Sequence, residues 1–96
     1  MQLSEVQQLI KEIYFNRDRE RGIEKTFIWF VEEVGEFAKT LKKGSKSDVE
    51  NELADVFAWL LSLANLLEID LENAFTSKYN WCCPRCKQNP CKCPME

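Results

Sequence analysis

ENELADVFAWLLSLANLL, residues 50–67, decides the fold. From Leu53 to Leu67 it carries one charged side chain, Asp55. Its apolar positions follow helical spacing and do not alternate. Asp is a poor residue for a helix interior, because its short carboxylate competes for backbone hydrogen bonds. Buried without a partner, a carboxylate is costly or neutralises. Something must hold Asp55 in an otherwise apolar helix.

Helical periodicity continues on both sides of this stretch, and Gly and Pro are almost absent before residue 84. A stripe of Leu3, Val6, Leu9/Ile10 and Ile13/Tyr14 predicts a first helix from about Ser4 to about Glu20, stopped near Gly22. A second runs from Ile23–Lys25 to Lys43 and ends at Gly44. Ser47-Asp48-Val49-Glu50 fits a capping box, so the third is expected from Asp48 to about Glu68. Asp70 can cap a short fourth helix, Leu71 to about Lys78. The expected fold is all-α: an antiparallel bundle of about four helices, residues 1–79, with a Cys-rich tail at 80–96.

The totals narrow the function. The 96 residues suit one domain with a modest core. A net charge of −3 argues against general nucleic-acid binding, which needs a basic surface. No basic stretch leads into an apolar run, and the longest apolar run is too short to span a membrane, so the expected location is cytoplasmic. There is no His, so any chemistry rests on carboxylates, lysines, cysteines or a metal.

On a wheel of roughly 100° per residue, Phe27, Phe30, Val31, Val34, Phe37, Ala38 and Leu41 share the face expected to be core. Trp29, Glu33, Glu36 and Thr40 fall on the other side. Glu33 and Glu36 are i, i+3 neighbours, and so are Glu52 and Asp55 on the third helix. The second and third helices, folded antiparallel, can bring both acid pairs to one groove. Four converging carboxylates repel unless a hard divalent cation such as Mg²⁺ or Mn²⁺ sits among them. The alternative for Glu33 and Glu36 is a solvated face, with Glu36 paired to Lys39 or Lys43. A di-iron carboxylate bundle would need two Glu-x-x-His motifs, and the chain has none. The third helix is apolar nearly all round, more than one small subunit can cover, so a homodimer or dimer of dimers is expected.

Glu33-Val34-Gly35-Glu36, fifteen intervening residues, then Glu52-Leu53-Ala54-Asp55, resembles the E-x-x-E…E-x-x-D signature of MazG-like all-α nucleoside triphosphate pyrophosphohydrolases. TFIWFVEEVGEFAKTLKKG and ELADVFAWLLSLANLLEIDLENAFTSK are similar to that family's helices, so the resemblance covers about residues 23–79. It implies hydrolysis of a nucleoside triphosphate to monophosphate and pyrophosphate, with Glu33, Glu36, Glu52 and Asp55 holding Mg²⁺. Clearing unwanted nucleotides is one implied role. Glu36 is the candidate general base, and Lys78 matches a phosphate-contacting lysine of the family. The Asn usually four residues after that lysine is Cys82 here, with Asn80 nearby. Trp29 and Trp59, each one turn from an acid pair, can stack a base or simply pack. Lys78 can equally be a solvated helix-end lysine. The rivals are another pyrophosphatase of the superfamily, such as phosphoribosyl-ATP pyrophosphatase, and a non-catalytic metal- or nucleotide-binding module.

WCCPRCKQNPCKCPME, residues 81–96, holds five cysteines. Cys83-x-x-Cys86 and Cys91-x-Cys93 read as thiolate ligands for Zn²⁺, leaving Cys82 spare. The gap of four residues between the pairs is short for a zinc ribbon. Disulfides and a disordered tail are the alternatives.

Overall fold

The computed structural model describes residues 1–95, in which four helices form: α1 (Leu3–Arg21), α2 (Ile23–Lys43), α3 (Lys46–Leu66) and α4 (Leu71–Lys78). There is no strand among the described residues. The apolar stretch 50–67 lies in the helix that packs on both α1 and α2. Leu61, Ser62, Leu63, Ala64 and Asn65 are buried on every side of the helix. None of the helices is long and apolar enough to cross a membrane, among the described residues.

α3 begins at Lys46, two residues earlier than Asp48. The capping box is built on Ser45, whose Oγ accepts the Asp48 N–H at 3.2 Å while Asp48 Oδ2 accepts the Ser45 N–H at 3.1 Å. Asp48 at the third helical position thus takes the role expected of Glu50, and Ser45 that expected of Ser47. The helix stops with Glu68 in left-handed conformation, φ 56°. The Ile69 N–H reaches the Ala64 carbonyl at 2.9 Å and the Glu68 N–H reaches that of Asn65 at 3.2 Å, a Schellman closure.

α2 and α3 pair antiparallel: Trp29 meets Trp59, and further along α2 Glu33 meets Glu52. α1 and α2 are not a hairpin of neighbours. A single residue joins them, Gly22 at φ 90°, a conformation glycine adopts without steric cost. α1 instead packs on the C-terminal half of α3, where Gln7 and Asn65 lock the contact. Gln7 Nε2 donates to Asn65 Oδ1 at 3.0 Å and to the Ile69 carbonyl at 2.7 Å. Its Oε1 accepts the Leu71 N–H at 3.0 Å. These buried polar groups are matched, and they tie α1 to the start of α4.

The expected core face of α2 is corrected. Phe27, Val31, Val34 and Leu41 are 41% to 63% exposed. Thr26, Phe30, Glu33, Phe37 and Thr40 are the buried or half-buried stripe on α2. On α3 and its C-cap, Leu53, Phe57, Leu60 and Leu67 stay exposed while Val49, Glu52, Val56, Trp59 and Leu63 do not. Each helix therefore has two apolar directions and one subunit fills only one of them.

Candidate active site

Each acid on the inner stripes is placed by its helix register. Glu33 is one turn beyond Trp29 and Phe30 on α2; Glu52 and Asp55 occupy successive turns of α3. Carboxylate oxygens of Glu33, Glu52 and Asp55 lie within 4.8 Å of one another. Glu33 and Glu52 are half-buried and Asp55 is exposed. Burial raises the Glu33 carboxyl above the ordinary value of 4.5; a hydrogen bond with Glu52 and the charges of Glu52, Asp55 and Glu36 push it the same way. Oε2 of Glu52 is buried with no hydrogen-bond partner. An orphaned carboxylate oxygen inside a cluster of acids is what a hard divalent cation satisfies, so the donor set fits Mg²⁺ or Mn²⁺. Asp55 sits in the apolar helix on the side that completes this cluster.

Glu36 is not brought into the group. Its side chain is 54% exposed and pairs with Lys39 at 3.3 Å, the solvated alternative for this residue. Lys78 closes α4, which packs on α1, and its ammonium lies over the Tyr79 ring at 5.8 Å. Among the described residues, the main packing of α4 is on α1, not on the helices that carry the three acids.

Trp29 and Trp59 face each other beside the acids, centroids 6.3 Å apart and 17° from parallel. The Arg21 guanidinium lies over the Trp59 ring at 4.8 Å. Arg21 also binds Asp18 Oδ1 at 2.8 Å and the Thr26 hydroxyl at 3.3 Å. A cavity of about 230 Å³ opens here, lined by Tyr14, Arg17, Asp18, Arg21, Ala58, Trp59 and Ser62. Of its α1 residues only Tyr14, in the apolar stripe, stands out in the sequence. Asn16-Arg-Asp-Arg-Glu-Arg21 reads as a charged, solvated helix end, and only the i, i+3 spacing of Asp18 and Arg21 marks the pair.

These helices and acids find their counterpart in known proteins. The model of the MazG nucleotide pyrophosphohydrolase domain matches residues 21–87. The chain belongs to this family. The MazG span takes in both acid pairs, both facing tryptophans and Lys78, and begins at Arg21. Among curated proteins none matches the chain.

The MazG match stops between the two cysteine pairs of the tail. Sγ atoms of Cys83, Cys86, Cys91 and Cys93 nevertheless converge, all within 4.8 Å, with Cys83–Cys93 at 3.7 Å and Cys86–Cys91 at 3.9 Å. All five cysteines are free thiols, so no disulfide forms among the described residues. The tail is folded: Cys83 N–H donates to the Gln88 carbonyl at 2.9 Å and Lys87 N–H to that of Cys83 at 2.8 Å. Backbone N–H groups of Cys86 and Arg85 lower the Cys83 thiol to about 6, while hydrogen bonds shared first with Cys91 push Cys93 up to about 12. Cys82 stays outside the group.

Proposed function

We propose that the chain is a divalent-cation-dependent nucleoside triphosphate pyrophosphohydrolase. The observation that carries this is the convergence of Glu33, Glu52 and Asp55 from two helices, with a buried, partnerless oxygen on Glu52, inside the MazG span. These three would hold Mg²⁺ or Mn²⁺. Bound there, the ion supplies neutralisation of the triphosphate oxygens and a more acidic water.

The protein's own groups do the rest. Glu36 lies one turn from Glu33, and its exposed pair with Lys39 holds it by only about 0.2–1 kcal/mol. It swings to the cluster as the general base, taking the proton of the attacking water. The new bond forms at the α-phosphorus, the bond from that phosphorus to the α–β bridging oxygen breaks, and pyrophosphate leaves with the electron pair. Trp29 and Trp59 bound the side of the site from which the base enters. Lys78 meets the leaving phosphates only if it comes from a neighbouring subunit or after movement of α4.

We further propose that the four tail thiolates hold one Zn²⁺. Zn–S bonds of roughly 2.3 Å in a tetrahedron require S···S separations of about 3.8 Å; Cys83–Cys93 and Cys86–Cys91 stand at 3.7 and 3.9 Å, and all four sulfurs lie within 4.8 Å. Four protein ligands leave no open position, so this ion is structural. A second copy of the chain covers the stripe of Phe27, Val31, Val34 and Leu41 with that of Leu53, Phe57, Leu60 and Leu67, giving a homodimer.

The test is product analysis with a panel of ribo- and deoxynucleoside triphosphates and phosphoribosyl-ATP plus Mg²⁺. Equal yields of monophosphate and pyrophosphate, lost in Asp55→Asn, support the reading. Nucleoside diphosphate and phosphate overturn the bond assignment. Turnover of phosphoribosyl-ATP alone moves the enzyme to the rival pyrophosphatase, and tight binding without turnover makes it a binding module.

A further inference from the structure

Among the described residues, Asp18 is the one buried acid outside the metal cluster. It is 2% exposed, and only one of its carboxylate oxygens is used, by Arg21. The other, Oδ2, is buried with no hydrogen-bond partner. Leaving a charged acceptor unsatisfied costs more than a typical hydrogen bond gains, so the orphan requires an explanation. The fold offers no obvious need for it. Arg21 donates to Oδ1 and to the Thr26 hydroxyl, and the Gly22 N–H is taken by the Asp18 carbonyl.

The surroundings of Asp18 suggest one. It lines the cavity between α1 and α3, which is walled by two flat rings, Tyr14 and Trp59, and by Arg17 and Arg21. At about 230 Å³ the cavity is smaller than the roughly 300–1,000 Å³ of sites that take a whole drug-sized ligand. It suits a planar base rather than a whole nucleotide. Trp59 follows Asp55 by one helical turn, about 5–6 Å along the axis. A ribose spans such a gap between a phosphate held by the acids and its base. Arg21, now lying on Trp59, is the movable cover: a guanidinium stacks on a planar base as readily as on an indole.

We propose that this cavity is the nucleobase subsite of the enzyme and that Asp18 selects an amino-bearing pyrimidine, cytosine. The inference rests on the nucleotide reading above. Asp18 Oδ2 accepts from the exocyclic amine, and Arg17, which has donors only, serves the neighbouring ring nitrogen and carbonyl while Arg21 covers the ring face. Uracil offers an N–H only between two carbonyl oxygens, whose lone pairs would face the same carboxylate. Adenine has the amine and the ring nitrogen but a C–H where cytosine offers its carbonyl.

The test compares binding of CMP, UMP and AMP in the presence of Mg²⁺, read by calorimetry, alongside kcat/KM for CTP, UTP and ATP and their deoxy forms. Binding of the monophosphates needs no turnover. Cytosine should be preferred over uracil by roughly 10- to 150-fold, the worth of a hydrogen bond to a charged group. In Asp18→Asn the preference should shrink to about threefold or less, with uracil nucleotides handled no worse. Uracil or adenine matching cytosine in the wild-type protein overturns the assignment, whether or not Asp18→Asn folds; so does an unchanged preference in a folded Asp18→Asn. If CMP is preferred through Asp18 but no triphosphate turns over, the subsite stands and the pyrophosphohydrolase reading falls. Turnover without base preference leaves the pyrophosphohydrolase standing and removes the subsite.

Discussion

Glu33 on α2 and Glu52 on α3 bring their carboxylates within 4.8 Å across the helix pair, and one oxygen of Glu52 is left buried and unbonded. Without a cation the pair manages only by holding the Glu33 proton above its ordinary range, through burial first and the hydrogen bond with Glu52 second. The folded protein therefore binds that proton more tightly than the unfolded chain does. Its stabilising contribution is complete below the ordinary 4.5 of a glutamate and is lost as pH rises through the elevated folded value. Thermal melts without metal should show the wild-type Tm falling, relative to Glu33→Gln, as pH climbs through this window. Saturating Mg²⁺ should restore the wild type but not the variant. A Tm difference independent of pH would contradict the raised Glu33 carboxyl.

Glu36 gives a different signature. It is exposed and its one ion pair is worth little, so Glu36→Gln should leave Tm nearly unchanged, within about 0.5 kcal/mol of stability. As the base it should lower kcat on the order of 10²–10⁴-fold. Stopped assays beside a melting curve separate the two effects. Full activity in this variant would return the proton transfer to Asp55 or Glu52.

Much of the molecule is legible in the sequence, and the gaps have physical causes. Helix number, the ends of α2 and α4, and the acids that meet follow from periodicity, stop residues and i, i+3 spacing. Which apolar stripe of α2 is inside does not. Phe27, Val31 and Val34 and the pair Phe30, Phe37 are equally apolar, and only the approach of α3 chooses between them. A short link usually reverses the chain, which puts α1 beside α2 in the expected bundle. One residue cannot make that reversal, and Gly22 directs α2 onward along α3. Spacing alone groups Glu36 with Glu33; the rotamer toward Lys39 is a local competition that spacing cannot show. Asp18 is hidden among the charges of a helix end.

The exposed stripes make a prediction about assembly. Val31→Glu together with Phe57→Glu places like charges in the apolar faces of α2 and α3, both exposed in the single chain. The wild type should sediment as a dimer or dimer of dimers and the double variant at monomer mass. A wild-type monomer at micromolar concentration would rule out the second copy.

The tail should carry one Zn²⁺ per chain by elemental analysis. Replacement with Co²⁺ should give the intense absorption of a four-thiolate tetrahedral centre. Cys91→Ser should lose the metal and loosen residues 83–93 to proteolysis, while Cys82→Ser, outside the group, should keep it. Metal retained without Cys91, or lost without Cys82, would refute the ligand set.

The three-acid metal site is probed most directly by Mn²⁺ binding to the protein without nucleotide, followed by electron paramagnetic resonance of the free ion. Tight binding should appear in the wild type and weaken at least about tenfold in Glu52→Gln, whose orphaned oxygen becomes a neutral amide. Mn²⁺ that binds equally to both proteins, or to neither, would show that Glu33, Glu52 and Asp55 do not form the metal site.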